Sequence, residues 1–347
     1  MMVESSSNLS FYLLTLSVVI MVSLFANRIR QTFEPSADEE NELIRKYLLN
    51  DSPLYGYNRP KIWIHSKYEI NARQWKDFYS RNTTDLNQPY IHLTIKTIIN
   101  HCGNDFNICL IDDESFSKLL PAWDIDLVNV AEPMRSHFRE IGMLQLLYFY
   151  GGMVIPNSFL CLENLSDFYK RSLAHNRPFV CESINHTVNI LKQKHKLLFV
   201  PNTYIMGAMK NDGTIKELID FAKQLYRRPH FTSETDFAGD ISQFCIDCIN
   251  KGEMNLVGGE QVGVKTVDRK TILLDNLMEE NYLSLHDSAV GIYIPADEIL
   301  RRTKYQWFAV MPAEQLLQTK LIIAKYLAAS IMESSASSTE IKSVTTL

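Results

Sequence analysis

The 347-residue chain lacks an excess of basic side chains: 35 Lys and Arg stand against 40 Asp and Glu, a formal net charge of -5. Without a broad positive field nucleic acid is a poor default partner, and any site for a phosphate group has to be local. Cysteine is scarce as well. Cys102, Cys109, Cys161, Cys181, Cys245 and Cys248 are too thinly spread for a disulfide framework, in a chain long enough to bury its own core. They read mostly as buried thiols. Cys245 and Cys248 form a CxxC within ISQFCIDCIN, which reads as a helix, and no second CxxC or close histidine pair completes a zinc set. A glycine-rich phosphate loop is missing too, since Gly258-Gly259-Glu260 has neither GxGxxG spacing nor the lysine frame of a P-loop. There is no internal repeat.

Charge is absent from Ser5 to Asn27, and Leu9 to Ala26, LSFYLLTLSVVIMVSLFA, is almost wholly apolar. That length suits a hydrocarbon core of about 30 Å. The pattern predicts a retained transmembrane anchor over residues 9–27 after a leader of residues 1–8. A cleaved signal peptide fits less well, because the leader carries Glu4 in place of basic residues and Leu24 and Ala26 make a weak cleavage site. Arg28 and Arg30 follow the segment directly, so the positive-inside rule places the large C-terminal part of this single-pass chain in the cytoplasm. Sequons at Asn50, Asn82, Asn164 and Asn185 are the features that suit the opposite, lumenal, orientation.

Residues 28–59 are polar and read as a linker or stalk with one short helix at Glu42 to Leu49. The folded domain is expected over residues 60–332, and the Ser/Thr-rich tail, residues 333–347, has the composition of a disordered segment. KIWIHS (Lys61 to Ser66) reads as a strand, Tyr90 to His101 as a helix and FNICLIDD (Phe106 to Asp113) as a second strand with an acidic turn. Strand, helix, strand is a βαβ opening and implies an α/β domain with a mostly parallel sheet. Glu132 to Tyr150 reads as a helix stopped by Gly151-Gly152, and MVIP behind it as a short strand. Further strands are expected in Pro178 to Ser183, Leu197 to Met209 and Ala289 to Pro295. Further helices are expected over Thr214 to Arg227, Ile241 to Ile249 and Pro312 to Met332.

Pro60-Lys61-Ile62-Trp63-Ile64-His65, Leu110-Ile111-Asp112-Asp113, the helix ending LQLLYFYGG and the strand after it together resemble the sugar-transferase families that contain a DXD motif, including the capsular-polysaccharide-synthesis branch. The likeness covers residues 60–165 and, more loosely, VPNTYIMGAMKND (Val200 to Asp212). It implies a nucleotide-diphospho-sugar transferase (GT-A-like) fold, a nucleotide sugar as donor and a glycan or protein as acceptor. Those families show D-x-x-R-x-x-x-L-x-x-Y-G-G-x-x-x-D-x-D, in which the last two acids hold Mn2+ or Mg2+ against the leaving diphosphate. Here those two positions are Pro156 and Ser158, with Asn157 between them, while Glu140 stands at the helix Asp and Met143 at the helix Arg. Proline offers no side-chain ligand and a neutral serine is a weak partner for a hard cation, which disfavours the metal.

By the same resemblance Asp112, Asp113, Glu140, Asn157 and Asn202 are the donor-binding candidates. Without the metal, a diphosphate would need cationic clamps, for which Arg135, Arg139, Lys265, Arg301, Arg302 and Lys304 are the candidates. An isolated Arg or Lys is most often a solvated surface charge, so only clustering around one pocket promotes these six. Asp112 and Asp113 read equally well as a turn capping the SFSKLL helix. His286, beside Asp287, is the single weak metal candidate and more often a plain loop residue. Two functional readings follow. An anchored transferase predicts a pocket near Asp112, Glu140 and Asn157 rimmed by basic groups; a tethered scaffold of the same fold, catalytically inactive, predicts a pocket plugged by side chains such as Met143.

Overall fold

A computed structural model of the protein describes residues 59–66, 88–182, 200–226 and 234–332. The expected anchor (9–27), the leader, all but the last residue of the linker and the tail (333–347) lie outside these residues, as do Asn50, Asn82 and Asn185. Among the described residues no helix is long and apolar enough to cross a membrane.

β1 (Lys61–His65) is buried on both faces, with Ile62, Trp63 and Ile64 at 0% exposure. This is why its three central residues form a continuous apolar run and not an alternating one. It pairs in parallel with β2 (Asn107–Ile111) on one side and β3 (Gly152–Val154) on the other. The crossover between β1 and β2 contains α1 (Pro89–Cys102), which begins with the proline in its first turn. The sheet continues through β6 (Pro201–Ala208), β5 (Phe179–Glu182) and β7 (Asn255–Val257) in the order β2-β1-β3-β6-β5-β7. Five strands run in one direction and β6 alone runs against them. The fold is α/β with a mostly parallel central sheet.

The helix before the glycines is α3 (Met134–Tyr150), following the short α2 (Ser115–Leu119). Gly151 N–H closes it on Leu147 O at 2.8 Å, and both Gly151 and Gly152 take positive φ, 68° and 102°. A Cβ at Gly152 would lie 2.3 Å from Lys61 O, so only glycine lets β3 enter flush against β1. Trp63 Nε1 donates to Gly151 O at 3.0 Å and ties the turn to the strand. The Gly-Gly turn therefore has a packing reason.

After α4 (Ser166–Ser172) and the β5–β6 pair, α5 (Gly213–Tyr226) and α6 (Glu234–Lys251) pack with α3 over one face of the sheet. Their shared core includes Phe138, Leu144, Leu147, Met206, Leu218, Phe237 and Ile241. Cys245 and Cys248 are buried in this layer, and burial pushes both thiols up, Cys248 to about 11. Both lie among the apolar side chains of this layer. The other four cysteines are buried and free as well, with Cys102 and Cys161 sulfurs 3.9 Å apart.

Two expectations change. Residues 289–295 contribute β8 (Gly291–Tyr293), which does not join the central sheet but pairs antiparallel with β4 (Phe159–Cys161) in a separate two-stranded sheet. The single helix expected over Pro312 to Met332 is two. After α7 (Leu274–Leu277), α8 (Ala296–Arg301) and α9 (Gln306–Val310), α10 (Ala313–Leu317) stops early, and a new helix runs over 322–332. Thr319 closes α10 by turning both its N–H (3.0 Å) and its hydroxyl (2.8 Å) onto Leu316 O, a local bond that competes with continuing the helix.

Candidate functional site

The carboxyl ends of β1 and β3 and the reversed start of β6 meet at one edge of the sheet, where open α/β sheets take ligands. A cavity of about 240 Å³ lies there. One wall is α3, through Arg139, Glu140 and Met143; another is α6, through Phe237 and Ser242; the floor is the loop Pro156 to Ser158. Asn202, Thr203 and Tyr204 of β6, with Tyr293 and Asp297 near β8 and α8, close the far side. Met143 lines the cavity without filling it.

At the rim, Asp113 receives a two-pronged bond from Arg139, Nε to Oδ1 at 2.7 Å and Nη2 to Oδ2 at 2.6 Å. His65 Nε2 lies 3.0 Å from the same Oδ1, and Arg139 Nη1 reaches Glu132 Oε1 at 3.3 Å. Burial on its own would raise the Asp113 carboxyl, but the hydrogen bonds and charges of Arg139 and His65 overcome it and hold the group well below the usual carboxylate range. The Arg139 side chain is only 9% exposed. Its donors are directed at protein carboxylates, so its charge is committed to the fold.

Asp112 has turned away from the cavity. Its Oδ1 accepts from Ser115 N–H at 2.9 Å and from Ser115 Oγ at 2.6 Å, the turn-capping arrangement. Glu140 Oε1 accepts from Thr203 Oγ1 at 2.5 Å, which ties α3 to the start of β6 across the cavity wall. His137 lies ring to ring on Phe237, centroids 4.1 Å apart, and burial pushes its pKa down against an opposing pull from Glu132. Asn202 Oδ1 accepts from Tyr204 N–H at 2.8 Å and shapes the strand start.

The residues at the acid positions do not fit Mn2+ or Mg2+. Ser158 is 2% exposed and its hydroxyl donates to Ile294 O at 2.7 Å, joining the floor loop to the end of β8. Pro156 has no ligand atom, and the Asn157 carbonyl accepts from Thr94 Oγ1 of α1 at 2.6 Å, leaving only a side-chain amide to the cavity. Among the described residues no three His, Cys, Asp or Glu side chains gather to hold a metal ion. His286 is exposed and its Nδ1 accepts from Ser288 N–H at 3.1 Å in a local turn.

Apart from Arg139, the phosphate-clamp candidates do not line the cavity. Lys265 is paired with the buried Glu182. Arg302 forks onto Asp275 at 2.6 and 2.8 Å, with Lys304 3.7 Å from the same carboxylate. Arg135 Nε donates to Val130 O at 2.8 Å, and Arg301 is exposed on α8. Of the sequence candidates the fold brings Glu140, Asn157, Asn202, Arg139, Pro156 and Ser158 to one cavity and leaves Asp112, Asp113 and the remaining basic residues out of its lining. Sequence reasoning missed Thr203, Tyr204, Tyr293 and Asp297. The first two adjoin Asn202 in a segment already singled out; Tyr293 and Asp297 carry no local signal, because β8 reaches the cavity only through its pairing with β4. Tyr204 and Tyr293 ring centroids are 6.2 Å apart, and burial pushes the Tyr293 phenol far up.

No protein-family model matches this chain, and no curated protein matches it. Among solved structures, the PaToxG glycosyltransferase is 14% identical over 61% of this chain and 79% of its own, with a TM-score of 0.34. The glycosyltransferase GlyE of Streptococcus pneumoniae TIGR4 is 11% identical over 83% of this chain and 64% of its own, with a TM-score of 0.36. Mouse xyloside xylosyltransferase 1, in its apo form, is 9% identical over 58% of this chain and 86% of its own, with a TM-score of 0.35.

Proposed function

We propose that this chain is a glycosyltransferase-like protein of the nucleotide-diphospho-sugar transferase type, held at a membrane by residues 9–27, whose pocket binds a carbohydrate group without a metal-held diphosphate. The frame supports the first half: a PKIWIH strand, an acidic turn, a Gly-Gly helix stop and a cavity at the carboxyl edge of a mostly parallel sheet. One observation carries the second half. The Ser158 hydroxyl is bound to Ile294 O while the cavity beside it stays open. A metal-dependent transferase of this type would keep carboxylates at positions 156 and 158 to hold the ion. An abandoned site with no ligand would be expected to fill in, since protein interiors pack closely.

The cavity suits a small group. Its 240 Å³ lies below the roughly 300–1,000 Å³ of drug-sized ligand pockets, which points to a single sugar ring and not a whole nucleotide sugar. The Tyr204 ring would meet its apolar face and the Asn157 amide its hydroxyls, while Ser242 Oγ, which donates to Pro201 O at 2.9 Å, could only accept from one. Arg28 and Arg30 directly after the apolar segment support a cytoplasmic orientation for this pocket.

The test is thermal unfolding of the full chain in nanodiscs, because glycosidic detergents would compete, against monosaccharides and against UDP- and GDP-sugars with and without Mn2+. A ligand that binds only the folded state raises the transition. Stabilisation by monosaccharides, independent of Mn2+, is the expected result. Release of a nucleoside diphosphate from any nucleotide sugar would overturn this reading in favour of an altered-donor transferase. Protease protection of the same chain in sealed microsomes checks the orientation: cleavage of the C-terminal domain from outside is expected, and its protection together with added glycans would reverse it.

A further inference from the structure

The charge inventory of the cavity points to a ligand of one sign. Asp297, in the first turn of α8, lines the cavity and is partly exposed there, and among the described residues it makes no hydrogen bond or ion pair. Glu140 adds a second carboxylate to the lining, across from the start of β6. The only Lys or Arg among the lining residues is Arg139, and its fork is held by Asp113 and Glu132. His137, stacked on Phe237 with its pKa pushed down, brings no positive charge at neutral pH. Tyr204 and Tyr293 also line the cavity, and an aromatic ring is a side chain that tolerates a cation beside it. A nucleoside diphosphate would enter this field against repulsion.

We propose that the pocket selects a sugar bearing a free ammonium group, a 2-amino-2-deoxyhexose in place of its neutral or N-acetylated form, with Asp297 as the carboxylate that receives the ammonium. This rests on the carbohydrate-binding reading above. The specificity is a difference between ligands of nearly equal size and shape, so it isolates charge from fit. A charge-assisted hydrogen bond to a partly buried carboxylate is strong enough for a preference of about tenfold or more.

The experiment is calorimetric titration of the full chain in nanodiscs with glucosamine, N-acetylglucosamine and glucose, repeated on Asp297→Asn and Asp297→Glu. Glucosamine is expected to bind about tenfold or more tighter than the other two. The preference should vanish in Asp297→Asn, persist in Asp297→Glu and weaken as salt is raised. Equal binding of all three sugars by the unaltered protein, which needs no variant to fold, overturns the ammonium proposal and leaves the carbohydrate reading standing. Binding of none of them overturns both.

Discussion

The Ser158 hydroxyl and the Ile294 carbonyl are bonded at 2.7 Å although 136 positions separate them in the chain. The bond staples the loop that follows β3 to the residue just after β8, and it commits the Ser158 hydroxyl within the protein. Replacing Ser158 by Ala leaves a buried carbonyl without its donor and should cost about 1–3 kcal/mol. Placing acids at both positions, Pro156→Asp with Ser158→Asp, sets a buried carboxylate against that carbonyl. We expect it to destabilise by about 3 kcal/mol or more without any gain of Mn2+ binding. Thermal unfolding with and without Mn2+ checks both; a metal-dependent rise in the double variant would show that the acids alone rebuild an ion site.

The Arg139 fork joins a buried guanidinium to a half-buried Asp113 carboxylate, and removing one partner weakens the hold on the other. Arg139→Ala should lose about 1.5–3 kcal/mol in urea unfolding. Arg139→Lys should lose less but more than a surface exchange, because an ammonium cannot make the two parallel bonds. A loss within about 0.5 kcal/mol for Arg139→Ala would place this network outside the stabilising core.

The same pair sets an acid limit. The folded-state pKa of Asp113 lies below its unfolded value, so its contribution is fully present above the unfolded pKa of about 3.9 and is lost as pH falls from there through the folded value. Stability measured from pH 6 downward should decline below about pH 4. Asp113→Asn should flatten that part of the curve.

Gly152 and Gly239 should respond in opposite directions to alanine. At Gly152 the new Cβ meets Lys61 O at 2.3 Å with φ at 102°, and Gly152→Ala should cost more than about 3 kcal/mol or prevent folding. Gly239 lies inside α6 with open space around it, so Gly239→Ala should stabilise by about 0.5–1 kcal/mol. Chemical denaturation of the two variants decides.

Tyr204 is 37% exposed at the mouth of the cavity and can be removed with little loss of core. Tyr204→Ala should weaken monosaccharide binding about three- to tenfold through the lost ring contact, with a small change in melting temperature. Unchanged binding would move the sugar off this face.

Local chemistry determined much of this protein before any folding. The apolar run Ile62 to Ile64 within KIWIH marked a strand buried on both faces, the β1–α1–β2 spacing had to give a parallel pair, and the two glycines after Tyr150 had to stop α3. Each signal lies within a window of a few residues, where periodicity and turn geometry are set by neighbouring atoms. That positions 156 and 158 carry no acid was equally plain. Tertiary structure alone decided what those positions do instead, because the partner of Ser158 comes from β8 and reaches it through a second sheet that three-residue strands barely announce. It also decided that Arg139 serves Asp113 and Glu132, and that Tyr293 and Asp297 share a cavity with Glu140. Such pairings depend on which faces meet after long connections close, and charge or ring type along the chain does not encode that choice.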